Sequence, residues 1–426
     1  MSEHNMLTKN NKRIVMSHEL APSASLRLIR ALTCMMFFMF AMTTDAVGSI
    51  IPALIAEFDL SLSAASAFHY VPMVAIALGG LGFGFLADRG ARKRTLMLGL
   101  ALYGVGSLLF VFGQSFGFFI VLLAVSGLGV SIFKVGALAL IGDITHSPRA
   151  HTSFMNTVEG FFAVGAIVGP ALVATLLGAG ISWKYLYVAA AGICLLLMLA
   201  TLRVQYPVAH RADAEPAAWR QTLALLKNPF ALGFSTLIML YVAVEVAIYV
   251  WMPTWLANYS GALPWLATYA LTVFFVLRAV GRFIGAWLLE RAAWDSVLAV
   301  LAFAILLCFT GSLVGGEAWA LWLLPLSGLF MSVVYPTLNS KGISCFPRNE
   351  HGAIAGLILF FTAFAAAMGP LAMAALSDAL GGIRYGFMLA TGFALLLWLG
   401  LLWNRIYAPA AQRLAQVASK AEDTTG

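Results

Sequence analysis

Polar residues interrupt this chain at near-regular intervals, and between them lie apolar runs of twenty residues or more. Wound as helix, about twenty residues cross the ~30 Å hydrocarbon core of a bilayer. The pattern predicts twelve spans. Six fall at 31–55, 65–87, 95–114, 118–142, 152–177 and 184–204, and six more at 231–257, 264–289, 294–315, 319–343, 351–376 and 384–406. A polar stretch, 205–230, separates the sets as a linker, so the bundles are 31–204 and 231–406, with tails at 1–30 and 407–426. The fold class is an all-α membrane protein.

Composition agrees: 62% of residues are hydrophobic and 10% charged, against about 25% charged in soluble chains. The net charge of +7 raises the question of nucleic acid, but its placement excludes that reading. Arg89, Arg92, Lys93, Arg94, Arg149, Arg211, Arg220, Lys227, Arg291 and Arg348 fall in loops on the side of both termini, and only Lys184 and Arg384 on the other. Positive loops face the cytoplasm, so both termini are expected there, in a bacterial inner membrane. The basic first thirty residues lack the apolar core of a removable signal peptide. Cys34, Cys194, Cys308 and Cys345 stand singly, without metal-ligand spacing, and His69 and His151 are lone histidines with no assigned role. No nucleotide, metal or hydrolase motif appears. The expectation is no enzyme, no cofactor and no metal, with energy drawn from an ion or solute gradient.

The chain repeats itself at an offset near 200. Residues 161–200 lie over 361–400, with Gly169-Pro170 on Gly369-Pro370, Lys184-Tyr185 on Arg384-Tyr385 and Gly192 on Gly392. Pro52 falls on Pro253, and Ser126-Gly127-Leu128 on Ser327-Gly328-Leu329. With six spans between copies, the halves share one orientation, and a site is expected near mid-membrane between them.

Charges inside spans sharpen the picture, because each costs at least ~2.5 kcal/mol on insertion and so faces the bundle interior or water. They are Asp45 (span 1), Lys134 (span 4), Glu159 (span 5), Glu245 (span 7), and Arg278 and Arg282 (span 8). Spans 3, 6, 9 and 12 carry none in their cores and are expected at the lipid. Lys134 and Glu159 each lie roughly 6–8 Å from their span midpoints toward the termini, at ~1.5 Å per residue. They are therefore candidate partners in depth.

The helix 2–3 loop, Gly84-Phe-Leu-Ala-Asp88-Arg89-Gly90-Ala-Arg92-Lys93-Arg94, resembles the G-x-x-x-D-R-x-G-R-K motif of the major facilitator superfamily, with the second glycine displaced by one. Glu290-Arg291 is a weaker echo after span 8. The resemblance implies twelve helices in two parallel-repeat bundles, with Asp88, Arg89 and Arg92 gating the cytoplasmic side. Within the superfamily the chain is most similar to the fucose/glucose–proton symporter group. That likeness rests on Asp45, Met155-Asn-Thr-Val-Glu159-Gly-Phe161, Tyr241-Val-Ala-Val-Glu245-Val, Gly281-Arg282-Phe-Ile-Gly-Ala-Trp-Leu288 and Tyr335-Pro-Thr337. It implies a sugar–proton symporter, with Asp45 as proton acceptor. Members of that group can carry a second acid on span 4, where this chain has Lys134.

A carboxyl whose cationic partner can be withdrawn is a natural proton switch. Asp45 and Glu159 are the candidates for proton coupling, with Lys134 as the cation they compete for. The candidate solute site comprises Asp45, Lys134, Glu159, Glu245, Arg278, Tyr335 and Asn339, with Arg282 as a gate or packing element. Trp251 and Trp255 read as interface anchors. Gly165-Ala-Ile-Val-Gly169-Pro170 partly matches a drug-antiporter motif, but its recurrence at Gly369-Pro370 favours a packing role. The expected partners are a small polar solute, protons and membrane lipid, with the protein acting as a monomer. An organic-anion transporter, an exporter and a non-transporting membrane sensor remain as alternatives.

Overall fold

The computed structural model describes residues 23–88, 92–145, 148–206, 224–347 and 350–423. Among them, 11 helices are long and apolar enough to cross a membrane. One of these, Trp294–Ser344, has 51 residues. At 1.5 Å per residue it would run to roughly 75 Å, more than twice the hydrocarbon thickness. Gly316 divides it: its φ of 64° and ψ of −153° lie where only glycine rests easily, so the chain turns back there. Eleven helices with one counted twice are the twelve predicted spans, and this break falls between the predicted spans 9 and 10.

Two helices predicted as continuous are not. Span 1 consists of Ser23–Thr44 and Val47–Phe58, broken at Asp45 and Ala46. Thr43 and Thr44 both turn their hydroxyls back onto the Phe40 carbonyl, at 2.9 and 3.0 Å. Such back-bonding bends helices. Span 10 breaks at Ser332 and Val333 before resuming as Val334–Ser344. Pro336, one turn on, has no N–H to give the Ser332 carbonyl. Length and hydropathy cannot show such breaks, because the apolar run continues through both. The 407–426 tail also contains structure: after Ala408 (φ 50°) the chain forms a helix, Pro409–Asp423, and Arg413 Nε donates to the Cys345 carbonyl at 3.2 Å.

The halves pack alike. Span 5 lies along span 1, and span 11 along span 7. The repeated Gly-Pro explains the closeness. A Cβ on Gly169 would collide with the Met42 carbonyl and one on Gly165 with that of Phe38, while on Gly369 it would stand 3.4 Å from Ala243. Spans 3 and 6 pack within the first half and span 12 within the second. They turn Val105, Leu196 and Trp403, all more than half exposed, outward. The contacts between halves are span 2 with span 11, span 5 with span 8, and span 1's second helix with span 7. A twofold axis relating the halves exchanges the first two seams.

These seams close the end of the molecule away from the termini, here called the distal end. Tyr249 of span 7 abuts Gly48 of span 1, and the Thr175 and Tyr269 hydroxyls meet at 3.2 Å. Pro370 leaves the Ala366 carbonyl without its helical N–H, and His69 Nε2 of span 2 takes it at 3.2 Å. The hydrogen bonds of Asp378 with Leu62 and Ser63, of His69 with Ala366 and of Thr175 with Tyr269, which join the halves, all lie in the distal half of the bundle.

Candidate functional site

Directly beneath the distal seam, the break in span 1 places Asp45 between the bundles. Opposite it, span 7 carries Glu245 and span 8 Arg278, whose Nη2 makes an ion pair with Glu245 Oε1. Glu245 is buried, its side chain 9% exposed, and that of Arg278 is 23% exposed. Span 7 is the innermost helix of its half, buried without interruption from Tyr241 to Ile248. A carboxylate there must find a cation. Arg278 Nε is buried with no hydrogen-bond partner, so the guanidinium keeps a spare donor. Of the charges around Asp45, Arg278 acts most strongly, then Glu245, Lys134 and Glu159. These three residues form an inner tier that spans both halves.

A second tier lies nearer the termini. Glu159 and Arg282 are exposed, and Lys134, Tyr335 and Asn339 are half-buried. The Lys134 ammonium stands 5.2 Å from the centre of the Phe40 ring, and the charges of Glu159 and Asp45 act on it. Arg282 interacts with Arg278, Glu159 and Glu245. Tyr335 lies beside Tyr241 of span 7, with ring centres 6.4 Å apart. Tyr241 donates to the Met331 carbonyl at 2.8 Å, tying span 7 to the break in span 10. Glu159 and Arg282, though charged, are thus not enclosed by protein.

Of the sequence-predicted residues, Glu245 and Arg278 meet as an ion pair, and the charges of Asp45, Lys134, Glu159 and Arg282 act on one another around it. The expected partnership among them changes. Among the described residues no ion pair joins Lys134 to Glu159 or Asp45. Instead Lys134 faces an aromatic ring, while Glu159 lies open to water. The cation nearest in effect to Asp45 comes from the other half, as Arg278. Arg92 is held within its own half by Asp143, Nε to Oδ2 at 2.7 Å. The Asp88 side chain and Arg89 lie outside the described residues.

Trp251 and Trp255 are corrected. Trp251 is fully buried and donates its indole N–H to the Pro370 carbonyl at 3.1 Å, and Trp255 packs on Phe387 with ring centres 4.4 Å apart. Both fill the seam of span 7 with spans 11 and 12 rather than anchoring at an interface. His69, unassigned from sequence, is buried in the distal seam, its ring 5.7 Å from that of Tyr249. Among the described residues no His, Cys, Asp or Glu group is arranged to hold a metal, and the four cysteines are buried and free.

The sequence profile of the Major Facilitator Superfamily matches residues 33–370. A glucose/galactose transporter of Brucella abortus is 27% identical over 377 residues, covering 83% of this chain and 89% of that protein. The L-fucose-proton symporter of Escherichia coli is 24% identical over 355 residues, covering 74% and 79%. Among solved structures, a bacterial homologue of the human lysosomal transporter Spinster, inward-facing and unoccupied, superposes with a TM-score of 0.75 at 12% identity. It covers 93% of this chain and 99% of its own.

Proposed function

Since this chain belongs to the major facilitator superfamily, a family of membrane transporters and not of enzymes, we propose that it is a secondary active transporter that carries a monosaccharide together with a proton by alternating access. Asp45 is the proton acceptor. The observation that carries this reading is the inner tier: one acid in the break of span 1 faces a buried Glu245–Arg278 pair on the other half.

The arrangement works as a balance. While Asp45 is ionised, Arg278 is drawn toward two carboxylates on opposite halves, and pulling the halves apart on this side costs Coulomb energy. Protonating Asp45 leaves Arg278 to Glu245 alone and frees the halves to rock. A solute that bridges the tiers, through Lys134, Glu159, Tyr335 and Asn339, selects the loaded form. Glu159, open to water, is suited to receiving the proton from the cavity. Arg282, at the mouth, gates the passage.

The solute class follows from charge balance. The cavity groups are three acids (Asp45, Glu159, Glu245) and three bases (Lys134, Arg278, Arg282). With no net charge and many donors and acceptors, such a site favours a neutral polyhydroxylated ligand over an anion. The glucose/galactose transporter and the L-fucose-proton symporter among the relatives agree with this class. The positive-loop bias supports placing the termini, and hence the open side of the cavity, in the cytoplasm of a bacterial inner membrane. Thermal shifts of the purified protein with neutral hexoses and with small carboxylates test the reading. Stabilisation by a hexose is expected; stabilisation by carboxylates alone would make the protein an organic-anion carrier.

A further inference from the structure

The distal end of span 11 carries an acid just beyond the predicted end of that span at 376. Asp378 lies near the last turn of His351–Leu380, yet its carboxylate is bound to the other half of the molecule. Oδ1 accepts the backbone N–H of Leu62 at 3.0 Å and Oδ2 that of Ser63 at 2.8 Å. Span 2 begins at Leu62, so these are its first two amides, which no helical carbonyl can satisfy. The third, of Ala64, is taken by Ser61 Oγ at 3.2 Å, an ordinary local cap. Two of the open donors of span 2 are thus capped by a carboxylate 315 residues or more away, at the positive end of the helix dipole.

The internal repeat shows that this contact belongs to one seam alone. At the 200-residue offset Asp378 falls on Gly178, which has no side chain, and at the 201-residue offset that sets Pro52 on Pro253 the start of span 2, Leu62-Ser63, falls on Leu263-Pro264. Pro264, at the first position of span 8, has no N–H to offer. The twofold-related seam, span 5 on span 8, is joined instead by the Thr175 and Tyr269 hydroxyls. The charged cap is therefore not a property that either bundle needs for its own folding. It acts only across the boundary that must open.

We infer that Asp378 is a distal latch: it holds the end away from the termini shut, and its release from the first turn of span 2 is part of opening that end. The inference rests on the alternating-access reading but on no choice of solute or coupling ion. Asp378 is exposed, so water weakens the bond and keeps it reversible on each cycle.

The test reads conformation directly, without solute. Spin labels at Ala179 and Ala257, exposed distal positions on opposite halves, report the distal gap. A second pair at Arg203 and Ala292 reports the end bearing the termini. In D378A the ratio of distal-open to distal-closed molecules is expected to rise about three- to tenfold, the size of one helix cap lost. The second pair should draw together as the first separates. D378N, which keeps an acceptor oxygen but no charge, should fall between D378A and the native protein. Unchanged distances in both variants overturn the inference, as does a wider distal gap with no movement at the other end, which would mean local fraying. If hexoses fail to bind while these distances shift as stated, the solute assignment is lost and the latch stands.

Discussion

Removing one member of the Glu245–Arg278 pair is the sharpest perturbation of the inner tier. Breaking a buried ion pair costs ~3–5 kcal/mol, because the remaining charge stays desolvated. Here the two partners should not be equivalent. Glu245→Gln leaves Arg278, 23% exposed, with Asp45 as an alternative partner, so the loss should be about 2 kcal/mol. Arg278→Gln strands two carboxylates without their cation, and about 3–4 kcal/mol is expected. A unit of 150–250 residues, the size of each half, loses ~2–4 °C of melting temperature per kcal/mol. The apparent melting temperature in detergent should therefore fall by ~4–8 °C in E245Q and by ~6–16 °C in R278Q. The apolar double variant E245M/R278M should melt closer to the native protein than R278Q does. Native-like melting of both single variants, or a double variant as low as their summed losses, would refute the account of the tier.

Three further outcomes follow from the packing. Gly169→Leu should abolish a monodisperse product, since its Cβ would meet the Met42 carbonyl, whereas Gly192→Leu, with nothing within 4 Å, should purify normally. Trp251→Phe should lose about 1–2 kcal/mol, read as a lower melting temperature, because the buried Pro370 carbonyl loses its 3.1 Å donor. In uptake assays, Asp45→Asn should flatten the pH profile. The native protein should lose proton-driven accumulation as the pH on the solute side rises, whereas the amide has no proton to lose.

Much of this was legible in the sequence, for physical reasons. Apolar runs bounded by polar loops fix the spans, and charges that lipid excludes must find partners inside, as Glu245 and Arg278 do. The doubled Gly-Pro announced two close helix contacts. What stayed hidden depends on where a residue faces. Lys134 and Arg278 are both cations in apolar helices, and only the seam between spans 1, 7 and 8 brings Arg278 closest in effect to Asp45. Trp251 sits at an interface-like height yet turns inward, because Pro370 offers an acceptor there. Asp378 lies just beyond the predicted end of span 11, and nothing in the sequence shows that the first turn of span 2 rests on it. The breaks at Asp45 and Ser332 left only slight signals, a Thr-Thr pair and Pro336.

The central claim is that the acid in the break of span 1 carries a proton with the solute across the membrane. Its most direct test is a pH-sensitive dye in proteoliposomes, recording proton movement when a transported hexose is added without an imposed gradient. The native protein should move protons in the same direction as the sugar. D45N should exchange sugar across the membrane yet move no protons. Sugar-dependent proton flux that persists in D45N would contradict the account.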